Sequence, residues 1–212
     1  KDDRDQLAQY ITDYKFMPGG RYLWYAGRQA RFFNNCYLLR LEEDSREEWA
    51  AVTQRAMSCL MTGGGIGVDV SICRPSGRQL RKTGGVASGP VPLLFTLNEV
   101  GRNVMQGGSR RSALYGSMNW QHEDAKDFLH VKNWHDTQLG NQKEYTIADM
   151  KKLDFNYPAP LDMMNISLNY DDAWLKGNGS DVFVENCRQA LMTGEPGFSF
   201  NFGEKQNETL RN

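Results

Sequence analysis

The chain has 212 residues, is 40% hydrophobic and 24% charged, and carries a formal net charge of -1. That is the balance of an ordinary soluble globular domain, or of part of a larger one. It gives no reason to expect a polyanionic partner, so a nucleic-acid role would need its own local basic surface. No apolar run approaches a membrane span, and Lys1-Asp2-Asp3-Arg4 does not open a signal peptide. Cys36, Cys59, Cys73 and Cys187 are widely spaced and form no CxxC pair, which argues against a zinc knuckle and a secreted disulfide framework. A reducing cytoplasm is the expected compartment. His122, His130 and His135 lack the HExxH spacing of a zinc hydrolase.

Taken in order, residues Asp2 to Tyr14 have modest helical character. Met17 to Arg21 reads as a sharp turn, and Tyr22 to Gly27 as an apolar segment. Asn34 to Leu39 reads as a strand with a polar start, which places Cys36 at a hydrogen-bonding strand end. Ser45-Arg46-Glu47-Glu48 fits a capping box for a helix that carries Trp49, Val52, Ala56, Cys59 and Leu60 inward and stops at Gly63. Ile66, Val68, Val70 and Ile72 alternate with strand period, and Arg74 to Gly77 is a turn. Ser88 to Pro92 opens a helix with Leu93, Leu94, Leu97, Val100 and Val104 on its apolar side, closed by Gly107-Gly108. Ala113 to Trp120 is a strand, and His122 to Trp134 a helix with Phe128, Leu129 and Val131 inward. Asp136 to Glu144 reads as a loop and Lys151 to Pro160 as irregular. Met163 to Leu168 is a strand, Val182 to Met192 a helix with Cys187 in the core, Gly194 to Gly197 a turn, and Phe198 starts a strand. The acid pairs Glu42-Glu43 and Asp171-Asp172 are expected on solvated faces. There is no internal repeat. Strands alternating with helices predict α/β units on a parallel sheet, with binding groups in the loops.

The densest chemistry lies between Met61 and Arg111. Three glycine-rich turns occur there: Thr62-Gly63-Gly64-Gly65-Ile66-Gly67, Thr83-Gly84-Gly85-Val86-Ala87-Ser88-Gly89-Pro90, and Gln106-Gly107-Gly108-Ser109-Arg110-Arg111. Arg74, Arg78, Arg81 and Lys82 stand between the first two. Glycine allows a backbone N–H to approach an anion, and arginine grips phosphate with a fixed fork of donors, so the stretch suggests a nucleotide-binding surface. It is not one of the common nucleotide motifs. GxxxxGK[ST], GxGxxG and the GxSxG elbow are all missing.

These motifs in this order, with Asn35-Cys36, Arg74-Pro75-Ser76-Gly77, Leu161 to Ser167 and Gly194 to Ser199, resemble the large catalytic subunit of ribonucleotide reductase. The resemblance runs from Met17 onward and is closest to the adenosylcobalamin-dependent class II enzymes, with the class I large subunit as the alternative. It implies an α/β fold: the first half of a ten-stranded α/β barrel with parallel strands and crossover helices, formed by residues 17–212 behind a leading helical segment, 1–16. It implies radical reduction of ribonucleotides to deoxyribonucleotides, adenosylcobalamin as cofactor, a thiol reductant such as thioredoxin, a homodimer, and no membrane.

The same resemblance assigns residues. Cys36 matches the cysteine that reduces the substrate and becomes half of a redox disulfide. Asn35 lines the substrate site, and Gly64 and Gly65 let the ribonucleotide approach the backbone. Asp44, Arg74 and Arg81 match the site for a deoxynucleoside triphosphate effector. Met105 to Ala113, with Gln106, Gly107, Gly108, Ser109, Arg110 and Arg111, matches the loop that relays effector identity to the substrate, Arg110 being its reaching arm. Asn212 falls where the family motif Asn-x-Cys-x-Glu begins and is assigned to catalysis and substrate binding. The radical cysteine, its glutamate, the second redox cysteine and most adenosylcobalamin contacts are expected in a carboxyl-terminal half, on the same or a separate chain. The alternative is a catalytically inactive nucleotide-binding fragment.

Overall fold

A computed structural model describes residues 2–29, 32–80, 84–104, 112–139, 142–177 and 180–203. Its centre is a parallel sheet of β1 (Cys36–Leu39), β2 (Gly65–Asp69), β3 (Leu114–Asn119), β6 (Met164–Tyr170) and β7 (Gly197–Phe200), in that spatial order. Every pairing is parallel. The order follows the chain and never reverses, so the sheet is wound in one direction. A doubly wound sheet would carry a switch point between two opposed halves. Five parallel strands wound one way fit half of the ten-stranded barrel that the resemblance implies.

The crossovers carry the helices. α3 (Arg46–Met61) joins β1 to β2, and α4 (Val91–Asn103) joins β2 to β3. α5 (Ala125–His130) and α6 (Ile147–Leu153) lie between β3 and β6, and α7 (Asp172–Leu175) and α8 (Ser180–Thr193) between β6 and β7. The sheet face toward them is apolar: Ile66, Val68, Leu114, Met118, Met164, Ile166 and Leu168 are buried with Leu93, Leu94 and Leu97 of α4 and Val52, Ala56 and Leu60 of α3. α4 approaches β3 closely because Gly101 has no side chain. A Cβ there would lie 2.3 Å from Leu114 Cδ1. At its end, Arg102 and Lys151 both bind the nearly buried Asp162 carboxylate, and Asn98 Oδ1 accepts from Met163 N at 2.9 Å, tying α4 and α6 to the start of β6. Burial alone would push the Asp162 carboxyl up. The hydrogen bonds from Arg102, Lys151 and Asn98 outweigh it and hold the group below the usual aspartate value.

Several sequence expectations are corrected. The apolar piece Tyr22 to Gly27 belongs to a helix, α2 (Gly20–Tyr25), and α1 (Asp2–Thr12) precedes it. β2 stops at Asp69, so Ile72 falls in the following turn and is exposed. Ser45 caps α3, accepting from Glu48 N at 3.1 Å, but Glu48 turns its carboxylate to Glu42 N and Arg55 instead of completing the box. The helix expected from His122 to Trp134 is the shorter α5. Polar residues 136–144, expected as a loop, include β4 (Gln138–Leu139) and part of the antiparallel β5 (Gln142–Thr146). The supposedly irregular stretch after it begins inside α6, which Thr146 and Asp149 cap reciprocally. Asp171 is not merely solvated: it caps α7 and accepts from Trp120 Nε1 at 3.0 Å. Cys59, half-buried, packs against the core as expected, whereas Cys187 is half-buried where a core position was expected. Gly107-Gly108, expected to close α4, lie outside the described residues. Among the described residues no helix is long and apolar enough to cross a membrane.

Candidate substrate wall and effector pair

Side chains alternate along a strand, so the sheet face away from the helices is fixed by the same registers. It carries Cys36 and Leu38 from β1, Gly65, Gly67 and Asp69 from β2, Tyr115, Ser117 and Asn119 from β3, Asn165, Ser167 and Asn169 from β6, and Ser199 from β7. A parallel sheet packed dry on both faces would read as continuous Val, Ile and Leu. This wall is small and polar, fit to line a polar ligand. At the carboxyl ends of the strands, Asp69 Oδ2 accepts from Ser117 Oγ at 2.6 Å and from Asn169 Nδ2, and Asp69 Oδ1 accepts from Ser71 N at 3.0 Å. Sequence reasoning did not single out this three-strand network, although period-2 alternation places all three residues opposite buried neighbours.

At the amino end of the wall, Cys36 pairs in register with Gly65, and Asn35 O accepts from Gly65 N at 2.8 Å. Cys36 and Asn35 are exposed, whereas Gly64 and Gly65 are buried. The structure thus brings four of the five expected substrate residues together, Asn212 lying outside the described residues, and changes the reading of the glycines. The amides of Gly63, Gly64 and Gly65 are all spent inside the protein, on Leu60 O, Cys59 O and Asn35 O. They do not form an anion cradle. Gly64 is small for its neighbour: a Cβ there would sit 2.2 Å from the Tyr37 ring. The thiols also differ. Cys73 is buried, and burial pushes it up to about 12, with the Asp44 carboxylate adding to the rise. None of the four cysteines is in a disulfide.

Asp44 and Arg74 meet across 30 residues of chain. Arg74 N donates to Asp44 Oδ2 at 3.0 Å, its Nε to the same oxygen, and its Nη2 to Asp44 O at 2.9 Å. Beyond Arg74 the chain folds back as a narrow ribbon, with Ala87 N donating to Arg78 O at 2.7 Å and Gly84 N to Leu80 O at 3.0 Å. His122 braces it: Nδ1 accepts from Asp124 N and Nε2 donates to Cys73 O at 2.8 Å, which assigns the proton to Nε2. Arg81, the relay residues Gln106, Gly107, Gly108, Ser109, Arg110 and Arg111, and Asn212 lie outside the described residues. The stem of the relay segment is described, and there Ser112 Oγ donates to Val104 O at 2.8 Å.

The family model for the ribonucleotide reductase barrel domain matches residues 34–183. The chain belongs to the ribonucleotide reductase family. It is 25% identical over 217 aligned residues to the vitamin B12-dependent ribonucleoside-diphosphate reductase of Mycobacterium tuberculosis, covering 92% of this chain and 28% of that protein. It is 34% identical over 136 residues to the ribonucleoside-diphosphate reductase large subunit of Danio rerio, covering 61% of this chain and 17% of that one. The class Id ribonucleotide reductase alpha subunit of Actinobacillus ureae superposes with a TM-score of 0.68 at 16% identity, over 92% of this chain and 32% of that chain. The chain therefore spans under a third of the length of these relatives. The matched region, 34–183, holds Cys36, the glycine turn and the Asp44–Arg74 pair.

Proposed function

We propose that this chain is the first half of the catalytic barrel of a ribonucleotide reductase and takes part in reducing ribonucleotides to deoxyribonucleotides. The observation that carries the reading is the position of Cys36: an exposed thiol at the amino end of a polar sheet wall, joined through Asn35 to Gly65. Replacing a ribose hydroxyl by hydrogen, with release of water, consumes two electrons and two protons. Two thiols closing to a disulfide supply both. Cys36 is one of the two, and Asn35 lines the ribose pocket beside it. The partner thiol, the radical cysteine and its glutamate belong to a carboxyl-terminal half, and a thioredoxin-like thiol reductant reopens the disulfide. In the complete enzyme, Cys36→Ser is expected to abolish multiple turnover by at least about a hundredfold while deoxynucleotide binding persists. Full deoxynucleotide production by that variant would remove Cys36 from the chemistry.

The cofactor of this reading is adenosylcobalamin, supported by the names of the B12-dependent relatives at 25% identity. When bound, it would supply the radical that starts the reaction. Most of its contacts would fall in the carboxyl-terminal half, so cofactor binding by residues 1–212 alone is expected to be weak. Allosteric control belongs to the same proposal. Asp44, Arg74 and Arg81 would hold a deoxynucleoside triphosphate, and Gln106 to Arg111 would carry its identity to the substrate. The pairing of Asp44 with Arg74 supports the first part, and effector titration of Arg74→Ala tests it. A cytoplasmic homodimer completes the reading, to be checked by fractionation and sedimentation.

A further inference from the structure

Arg21 belongs to α2, ahead of the wall, and its guanidinium is held through one nitrogen. Nη1 donates to Phe32 O at 3.2 Å and to Thr62 O at 3.0 Å. Phe32 lies three residues before Asn35, and Thr62 two before Gly64, so the guanidinium stands at the rim where β1 and β2 begin. Aromatic contacts seat the helix there: Tyr22 stacks on Phe33 at 4.7 Å, and Tyr25 meets Phe32 and Phe33 edge-on at 6.0 and 6.3 Å.

The edge of a guanidinium formed by Nε–H and Nη2–H is the fork that takes two oxygens of one carboxylate or phosphate. In Arg21 that edge has no acceptor among the described residues. Nε is buried without a partner, and neither a hydrogen bond nor an ion pair engages Nη2 among the described residues. A buried donor left unpaired on a cation is costly, and such groups are normally satisfied. A clamp on two carbonyls would need Nη1 alone. The neighbouring glycine turn offers no substitute, because its amides are already bonded inside the protein.

We propose that Arg21 is an oxyanion ligand of the substrate site, its Nε/Nη2 edge receiving two phosphate oxygens of the ribonucleotide at the amino-terminal rim of β1 and β2. Nη1 stays on Phe32 O and Thr62 O and keeps the fork aimed. The inference rests on reading the polar wall as a reductase substrate site.

The test uses the complete enzyme as wild type, Arg21→Ala and Arg21→Lys, titrated calorimetrically with CDP and with cytidine. Lysine keeps the charge and a donor for the two carbonyls but has no fork. Two charge-assisted hydrogen bonds predict that Arg21→Ala weakens CDP about 10–100-fold and Arg21→Lys about tenfold, with cytidine moving less than about twofold in either. Equal losses for CDP and cytidine would make Arg21 a brace of the rim and overturn the proposal, as would unchanged CDP affinity. If thermal melting shows Arg21→Ala unfolded, the CDP-to-cytidine ratio of Arg21→Lys decides alone. Wild-type turnover, measured in parallel, separates the two readings. A wild type that reduces ribonucleotides while Arg21→Ala binds CDP normally sinks the anion site alone. One that reduces nothing, yet loses CDP selectively with Arg21, sinks the reductase and leaves the anion site. A wild type that binds neither compound overturns both.

Discussion

Gly64 shows how a single missing methyl group can be read two ways. From the sequence, the family resemblance implies that Gly64 lets a ribonucleotide approach the backbone. In the structure, the space over Gly64 belongs to Tyr37, whose Cε2 and Cδ2 would lie 2.2 and 2.7 Å from an added Cβ. Tyr37 packs against the core from the strand that carries Cys36, so it cannot yield without shifting that strand. Gly64→Ala is expected to cost about 1–3 kcal/mol of stability by overpacking, measured as a lowered denaturation midpoint. Pairing it with Tyr37→Leu should recover part of that loss, since the two sites share one space. Unchanged stability together with a raised KM would restore the substrate-approach reading. Asn35, Cys36, Gly64 and Gly65, named from motifs far apart in sequence, lie together in the structure. What they could not reveal was that the glycine amides are consumed by Leu60, Cys59 and Asn35, or that Arg21, read as part of a turn, sends its side chain to carbonyls 11 and 41 residues away. Both depend on tertiary geometry that no local spacing encodes.

Between elements, the Asp44–Arg74 pair joins the cap of α3 to the turn after β2. Part of Arg74 is already committed: Nε and Nη2 are on Asp44, so in the proposed effector site Nη1 would meet the phosphate. A charge-assisted hydrogen bond contributes about 1.5–3 kcal/mol. Arg74→Ala should therefore weaken binding of dATP, dTTP and dGTP by about one to two orders of magnitude. Calorimetric titration of the complete enzyme decides this, and unchanged affinity for all three would remove the effector site from this turn. The elements that frame the pair were legible because each carries a strong local signal. The Ser45 cap is followed by helical spacing, and Ile66, Val68 and Val70 keep strand period. Elements with weak apolar contrast were missed. The hairpin β4–β5 is short and polar, so its alternation has no hydrophobic phase. α6 is announced by Thr146 and Asp149, a capping pair in which aspartate takes the place of the usual Glu or Gln.

Among the described residues, the sheet has one face covered by helices and two edges without a neighbouring strand. Only β2, β3 and β6 have strands on both sides among the described residues, while β1 and β7 each have a strand on one side. A lone edge strand of this kind is a template for another chain unless charge, proline or a covering element blocks it. Neither edge is protected by its own side chains. β1 reads Cys-Tyr-Leu-Leu with Leu38 72% exposed on the polar wall, and β7 reads Gly-Phe-Ser-Phe with Phe200 49% exposed. Phe200 belongs to a ring cluster with Tyr170 at 5.8 Å and Trp174 at 5.7 Å, so removing it would disturb the core as well as the edge. Leu38 has no such role, and its replacement isolates the edge effect. Residues 1–212 prepared alone are expected to self-associate in sedimentation at micromolar concentration. Leu38→Lys should shift them toward monomer while changing stability by no more than about 0.5 kcal/mol, as for a surface substitution. Charge at that position hinders a new strand from docking on β1 but leaves the buried helix-facing side untouched. A wild-type chain that stays monomeric across that range would mean that the two edges are covered by parts of the chain outside the described residues. A Leu38→Lys variant that associates as strongly as wild type would place the contact at β7 and its exposed phenylalanines instead.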